Sequence, residues 1–112
     1  MTTFTLKSGT NKGNRRIWIE GARLLDAGLR RGTKLTRQMN DDGSMTLTTV
    51  CAPDIKGRKH SIAGKADRPI LDLCGKWVTD FMDGHSHFHV EAVTYSDSDG
   101  PYLDLVITPV NA

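Results

Sequence analysis

The sequence predicts a mostly β protein with short helices, built as a single domain from two copies of one unit. The length supports one small domain with a shared core, since the chain has 112 residues. The same order of apolar segments, glycines and turns occurs twice along the chain. Gly21 of the first copy matches Gly75 of the second, about 54 residues later. Each copy ends in alternating apolar and polar residues around an Asp-Gly pair, which is typical of a β-hairpin.

The first unit covers residues 2–50 and follows a simple order of local patterns. Short alternating runs predict strands, and Gly21 breaks the chain ahead of one or two helical turns. Gly28 stands where a glycine C-cap is expected. The predicted strands and helix are, in chain order, Phe4 to Lys7, Ile17 to Ile19, the helix Ala22 to Ala27, Lys34 to Met39 and Met45 to Val50.

The second unit covers residues 57–108 and has the same order of patterns. The stretch CAPDIKGRK, rich in Pro, Gly and charge, predicts a linker between the units. Both helices are too short to be stable alone, so they must pack on strands. The predicted elements of this unit are His60 to Ala63, Ile70 to Leu73, the helix Lys76 to Phe81, His87 to Thr94 and Tyr102 to Thr108.

Charge is divided unevenly between the two ends of the chain. Residues 1–68 hold 14 basic and 6 acidic residues, a net charge of +8. Residues 69–112 hold 1 basic and 7 acidic residues, a net charge of −6. A basic first unit favours a polyanionic partner, although a solvated surface without a partner is the alternative.

Composition bounds the compartment and the class of protein. The apolar content of 38% and charged content of 25% suit a globular protein, and no apolar run approaches the about 18 residues of a membrane span. The stretch MTTFTLKSGTNKG has no hydrophobic signal-peptide core, so we expect a cytoplasmic protein. Cys51 and Cys74 match no metal-binding or redox spacing, and we expect them to act as small apolar residues.

The stretch DGHSHFHVEA places histidines at every second position of a predicted strand. Phe88 and Val90 alternate with them and are expected to face the core. Imidazoles on one strand face suit zinc, nickel or copper, but a structural site needs four ligands, and His60 is the one further histidine. We therefore expect a polar outer face without a metal. Its residues are His85, His87, His89 and Glu91.

No catalytic pattern stands out in the sequence. Nucleophile elbows, phosphate loops and HExxH motifs are absent. Ser61, Ser86 and Ser96 offer hydroxyls, but their spacing indicates no Ser-His-Asp set. We expect neither an enzyme nor a bound cofactor. A metal-dependent enzyme would depend on the histidine strand alone.

The motifs of the first unit point to a family. A strand is followed by a short helix ending at Ala27-Gly28-Leu29, a turn at Arg31-Gly32-Thr33, and a hairpin with the closing strand Met45 to Leu47. In this order, RRIWIEGARLLDAGLRRGTKLTRQMNDDGSMTLT resembles the swapped-hairpin family of AbrB, MazE and SymE. The second unit keeps the strand, Gly75, Trp77 and the hairpin. The strings GTNKGNRRIWIEG and IAGKADRPILDL are also similar to small phage or prophage proteins and to the N-terminal module of some phage DNA cytosine methyltransferases.

The resemblance implies a fold and a function. Two interleaved units would form a tandem AbrB-like swapped-hairpin pseudo-dimeric barrel, either within one chain or in a homodimer. The family binds DNA through basic residues, whose positions here are Arg15, Arg16, Arg23, Arg30, Arg31 and Lys34. The matched positions of the second unit have lost most of this charge, which speaks against a symmetric DNA grip. Either one half binds DNA and the other stabilises it, or the acidic half contacts a protein. The matched positions are Arg68, Pro69, Trp77, Asp83, Gly84 and Ser86.

Two functions from different classes follow. The first is a small DNA-binding or regulatory module that uses the basic first unit, unless its arginines are structural and stack on Trp18 or pair with Glu20 and Asp26. The second is a phage-encoded inhibitor that binds a host protein, such as a component targeted by anti-CRISPR or anti-restriction proteins. The candidate surface for that partner is His85, His87, His89, Glu91, Asp97 and Asp99.

Overall fold

Two antiparallel sheets and two short helices make up the protein, as shown by a computed structural model that describes residues 2–50, 57–97 and 100–111. The prediction of a mostly β protein with short helices is confirmed. The first half contains β1 (Thr2–Lys7), β2 (Gly9–Asn11), β3 (Asn14–Glu20), α1 (Ala22–Ala27), β4 (Lys34–Met39) and β5 (Met45–Thr48). The second half contains β6 (Arg58–Ser61), β7 (Ala63–Lys65), β8 (Arg68–Cys74), α2 (Lys76–Met82), β9 (His87–Asp97) and β10 (Gly100–Val110).

Each predicted element overlaps an observed one, but most strands and the end of α2 differ from the predicted bounds by one to three residues. α1 and β4 have the predicted bounds, and Gly28 ends α1 in the left-handed region with its N–H directed to the carbonyls of Leu24 and Leu25. The short strands β2 and β7 were not predicted, because three-residue strands carry too little alternation to be recognised. The prediction that His85 lies on a strand is wrong, since β9 begins at His87.

The leading strand of each half pairs with the hairpin of the other half. The six-stranded sheet has the order β1-β9-β10-β5-β4-β6, and the four-stranded sheet has the order β2-β3-β8-β7. β1 therefore lies against β9 of the second half, and β6 lies against β4 of the first half. Neither half completes its own sheet.

The pairing registers repeat about a pseudo-two-fold axis. At the centre of the small sheet, Ile17 faces Leu73 and Ile19 faces Leu71. At the centre of the large sheet, Leu47 faces Leu105 and Met45 faces Ile107. In each sheet, both central pairs place a residue of one half opposite a residue of the other half. The axis thus passes between β3 and β8 and between β5 and β10.

The strands form two open sheets. Among the described residues, β1 and β6 are the edges of the large sheet, and β2 and β7 are the edges of the small one. The described strands therefore close no barrel, and the finer barrel prediction goes beyond what the structure shows.

One hydrophobic cluster contains residues of both sheets and both helices. Alternation places Ile17 and Ile19 inside and leaves Trp18 partly exposed, as expected for a strand covered on one face. The helices are held by buried side chains, and full burial of each large apolar one, such as Leu24, Val78 or Met82, contributes about 1.5–3 kcal/mol. The largest fully buried side chains are Phe88, Ile17, Ile19, Leu24, Leu29, Leu35, Met45, Leu47, Leu71, Leu73, Met82 and Leu105.

Candidate nucleic-acid interface

Six cationic residues lie on the two strands at one edge of the six-stranded sheet and in the turn that leads into them. β6 is the outermost strand there and pairs with β4. The turn before β4 is tied to the same edge, because Gly32 donates its N–H to the Ile62 carbonyl (2.8 Å) and Ile62 donates to the Thr33 carbonyl (2.9 Å). We call this surface the cationic edge, and its residues are Arg30, Arg31, Lys34, Arg37, Arg58 and Lys59.

No acidic residue occurs in the segments that form the cationic edge. Residues 27–40 contain four Arg and Lys and no Asp or Glu, and residues 57–66 contain three Lys and Arg and no acid. Five of the six side chains are exposed, with Arg37 partly buried. None takes part in an ion pair with another described residue, so within the described chain no ion pair neutralises the positive charge of this edge. The ion pairs of the described chain are Arg16–Asp72, Arg68–Glu20 and Lys76–Asp80.

The six predicted DNA-contacting residues lie on different elements. Arg30, Arg31 and Lys34 are exposed and belong to the cationic edge. Arg15 and Arg16 lie on β3 of the four-stranded sheet, and Arg23 lies on α1. Half of the predicted set thus lies at one sheet edge and makes no ion pair with another described residue.

Arg16 is occupied within the fold. Its Nε and Nη2 atoms donate to the two carboxylate oxygens of Asp72, each at 2.8 Å, and its Cζ atom lies 4.3 Å from the Trp18 ring centroid. The hydrogen bond with Asp72 raises the pKa of Arg16 above its ordinary value. For this residue the structural alternative applies, because it stacks on Trp18 as that alternative predicted. Its carboxylate partner is Asp72, whereas Glu20 pairs with Arg68.

Arg15 and Arg23 also make contacts within the chain. The Arg15 Nη1 atom donates to the Ser8 hydroxyl (3.3 Å), and its backbone N–H donates to the Thr79 hydroxyl (2.8 Å). The Arg23 guanidinium lies over the Phe4 ring, with its Cζ atom 5.5 Å from the centroid. These contacts connect α1 with β1, and β3 with α2.

A pocket on the cationic edge was missed by the sequence patterns. It has a volume of about 370 Å³, and its lining combines cations with an aromatic ring. We call it the basic pocket, and its residues are Arg37, Arg58, Lys59, His60 and Trp77. A volume of this size lies at the lower end of the range for ligand-binding pockets.

Arg37 is the centre of the basic pocket. Its Cζ atom lies 3.6 Å from the Trp77 ring centroid, a close cation–π contact. The His60 and Trp77 rings stack with their centroids 5.8 Å apart. The Arg37 Nη1 atom lies 3.4 Å from His60 Nε2, and because a guanidinium has no acceptor, Nε2 must accept this bond. His60 is therefore neutral in this arrangement, with its proton on Nδ1.

Burial and like charge lower the pKa of two residues of the pocket, Arg37 and His60. Burial lowers the pKa of Arg37, and the positive charge of Arg58 lowers it further. Burial also lowers the pKa of His60, to which Arg37 and Arg58 both contribute by repulsion. The charges acting on His60 are both positive, so the pocket favours the neutral imidazole and is short of negative charge.

Long-range pairing explains why sequence patterns missed this pocket. Arg37 and Arg58 are 21 residues apart and meet only because β6 pairs with β4. The leading strand of the second half was predicted to begin at His60, two residues after its observed start at Arg58. Trp77 is half-buried and packs against the hydrophobic cluster, so its sequence position alone does not indicate a place in a pocket. The stretch GRKHS, which is basic and contains no Asp or Glu, was the sequence signal that could have indicated the pocket.

Each of the three histidines at and before the start of β9 makes its own hydrogen bond. His85 Nδ1 bonds to the Met82 carbonyl (2.8 Å), His87 Nδ1 to the Ser86 hydroxyl (2.7 Å) and His89 Nδ1 to the Thr5 hydroxyl (3.0 Å). In the described part of the chain, no group of three or more His, Cys, Asp or Glu side chains is placed to hold a metal ion. Asp99 and the side chain of Asp97, predicted for a protein-binding surface, lie outside the described residues.

Two sequence-based expectations concern cysteines and membranes. Cys74 is partly buried and unpaired, and Cys51 lies outside the described residues. No helix within residues 2–50, 57–97 and 100–111 has the length and apolar character needed to cross a bilayer.

Comparison of the chain with protein-family models, with curated proteins and with solved structures finds no match. The resemblance to the AbrB, MazE and SymE family therefore stays a prediction from the motifs of the first unit. The cationic edge and the basic pocket are the features from which a function is argued.

Proposed function

We propose that the protein binds duplex DNA as a small regulatory module of AbrB-like type, with phosphates held along the cationic edge. The main supporting observation is that six Arg and Lys residues from both halves lie at one sheet edge, in segments that contain no Asp or Glu. The exchanged leading strands support an AbrB-like swapped-hairpin arrangement as part of the same proposal. Lysine and arginine that neutralise phosphates release counterions, which supplies the free energy of binding.

The test is a titration of a fluorescent duplex at two salt concentrations. We expect binding at micromolar protein in about 50 mM salt, with a steep loss of affinity by about 200 mM. Arg31→Ala is expected to weaken binding roughly tenfold at the lower salt and to reduce the salt slope by about 1, because one phosphate contact is lost.

Lys76→Ala is the matched control. Lys76 is an exposed cation on α2 and pairs with Asp80 outside the cationic edge, so its loss is expected to change affinity little. An absence of binding at low salt, or equal losses for Lys76→Ala and Arg31→Ala, would contradict the proposal.

A host-protein partner is the alternative function. The observation that favours it is a partly exposed row on β9, formed by His87, His89 and Glu91, which makes no ion pair with other described residues. A partner captured from nuclease-treated host lysate and lost on Glu91→Lys would support this function. Capture that is unchanged by Glu91→Lys but lost on Arg31→Ala would favour the cationic edge instead.

A further inference from the structure

We propose that the basic pocket binds one tetrahedral oxyanion, a phosphate or a phosphate ester, between the guanidinium groups of Arg37 and Arg58. The inference goes beyond duplex binding, because it needs no nucleic acid and concerns one seat on the cationic edge. The inference rests on the proposed function only if the bound phosphate belongs to a DNA strand.

Two like charges face each other at the centre of the proposed seat. Arg37 on β4 and Arg58 on β6 are direct partners in the antiparallel register. Like charges directly opposite on neighbouring strands are destabilising, and no described acid pairs with either residue. An anion between them would replace repulsion by two charge-assisted interactions, which guanidinium groups make well with phosphate.

Contacts inside the pocket hold Arg37 in place without neutralising it. Trp77 covers its guanidinium at 3.6 Å, and His60 Nε2 accepts from Nη1 at 3.4 Å. Both partners are uncharged, so the full positive charge of Arg37 is kept and its side chain is ordered before a ligand arrives. An ordered cation loses less side-chain freedom on binding, which favours affinity.

The pseudo-two-fold axis provides an internal comparison. The registers of β4 with β6 and of β9 with β1 make the Arg37–Arg58 pair equivalent to Val90–Phe4, and the Leu35–His60 pair equivalent to Phe88–Leu6. In the second hairpin these positions are apolar, and Phe88 and Val90 are fully buried. On the helices, Arg23 occupies the position equivalent to Trp77 and lies over Phe4.

The fold therefore closes this position with apolar side chains at one end of the sheet. At the other end, two arginines and a histidine occupy the equivalent positions, at a cost in burial and repulsion. A requirement of the fold does not explain this difference, whereas an anionic ligand does. The pocket volume of about 370 Å³ exceeds the size of one phosphate, which leaves room for the rest of an ester.

The state of His60 adds a consequence that distinguishes the seat from general charge attraction. The charges of Arg37 and Arg58 act on neutral His60, exposed Lys59 lines the same pocket, and on α2 the charges of Lys76 and Asp80 pair with each other. An anion between the arginines offsets their repulsion of the imidazolium. Anion binding should therefore raise the pKa of His60, and affinity should increase as the solution becomes more acidic.

The experiment uses inorganic sulfate, whose charge stays constant over the range of interest, and inorganic phosphate at neutral pH. NMR follows the His60 ring, and Trp77 fluorescence is read in a Trp18→Phe background. We expect saturable shifts at millimolar anion or below, and a higher His60 pKa in sulfate than in chloride, because a seat with two charge-assisted contacts supplies about this affinity.

Arg58→Gln is the test variant and Arg31→Gln is its matched control. Both remove one exposed cation of the cationic edge, but only Arg58 lines the pocket. We expect Arg58→Gln to weaken anion binding about tenfold or more and Arg31→Gln to leave it within about twofold. The triple change Arg37→Val, Arg58→Phe and His60→Leu, which copies the other end of the sheet, is expected to abolish binding in a folded protein.

The source of the phosphate is decided by competition with sulfate. A 5′-phosphorylated oligonucleotide that competes better than its 5′-hydroxyl counterpart supports a terminal phosphate, and equal competition supports a backbone phosphate. Equal losses for Arg58→Gln and Arg31→Gln, or an unshifted His60 at saturating sulfate, would overturn the seat. Sulfate binding without duplex binding refutes only the proposed function, and duplex binding without sulfate binding refutes only the seat.

Discussion

His60 connects the basic pocket to solution pH. Its imidazole is half-buried beside Trp77 and accepts a hydrogen bond from Arg37. Burial, followed by the charges of Arg37 and Arg58, lowers its pKa below the ordinary value. A basic group with a lowered pKa in the folded state opposes folding once the solution becomes acidic.

The titration of His60 should therefore lower the stability of the wild-type protein as the pH falls. Unfolded His60 has a pKa of about 6.5, so between this value and the lower folded value the unfolded chain binds more protons. The free energy of unfolding decreases as pH falls through that window, and this source of loss ends below the folded pKa. We expect urea unfolding in phosphate-free chloride buffer to show a larger loss from about pH 8 to about pH 5 for the wild type than for His60→Leu. Equal losses of stability in both proteins would mean that the pKa of His60 is the same in the folded and the unfolded chain.

Arg58 should be a residue whose removal stabilises the free protein. Arg58→Thr removes the charge opposite Arg37, and we expect a gain of about 0.2–1 kcal/mol in the free energy of unfolding at low salt. The gain should shrink as salt screens the pair. Arg31→Thr is the control, because Arg31 lies in the turn and has no cation opposite it in a strand register. A loss of stability in Arg58→Thr would show that the two arginines do not repel each other in the folded state.

At the scale of elements, the turns determine how each half is assembled. The turn around Gly32 leads into β4, and the tight β7–β8 hairpin, which contains Gly64, follows β6 at the same end of the β4–β6 pair. Both glycines have positive φ, 89° for Gly32 and 86° for Gly64, and L side chains rarely adopt this conformation. Their surroundings differ, since an added Cβ at Gly32 meets open space and one at Gly64 collides with the Arg68 carbonyl oxygen.

These two positions therefore make a matched pair of substitutions. Gly32→Ala is expected to cost about 1–2 kcal/mol, the backbone penalty alone. Gly64→Ala carries the same penalty and must also displace the β8 backbone, so it should cost clearly more. Urea midpoints measure the difference, and similar midpoints for the two variants would contradict the crowding at Gly64.

Local patterns specified the elements well where the residues involved are close in sequence. The helix Ala22–Ala27, its glycine end and strand Lys34–Met39 were predicted because periodicity and turn residues act over a few positions. β2 and β7 were missed, since each has three residues and depends on pairing with a neighbouring strand. For the site, Arg30, Arg31 and Lys34 were predicted, whereas Arg37, Arg58, His60 and Trp77 require the pairing of two halves.

At the scale of the whole molecule, the exchange of leading strands makes the two halves interdependent. β1 completes the second hairpin, β6 completes the first, and β3 pairs with β8 across the axis. A half without the other would leave unpaired strand edges and an exposed part of the one hydrophobic cluster. The structure thus favours a single cooperative unit.

Unfolding is accordingly expected to be two-state. Trp18 lies on β3 of the first half and Trp77 on α2 of the second half, so they report on both. We expect the single-tryptophan variants Trp18→Phe and Trp77→Phe to give a fluorescence midpoint in urea that coincides with the far-UV circular dichroism midpoint of the same variant. Non-coincident transitions within either variant would show that the halves unfold separately.

The sequence alone determined the mostly β class, the duplicated order of patterns and the division of charge between the two ends, because composition, period-two alternation and turn chemistry are local properties. The tertiary structure decided which cations become neighbours and which become neutralised. Arg16 forms an ion pair with Asp72 on the neighbouring strand, whereas Arg37 lies opposite Arg58. Both arrangements depend on strand pairing between residues far apart in the chain. Electrostatic energy depends on distance in space, so a pocket whose cations have no acidic partner among the described residues could be recognised only once the strand pairing was known.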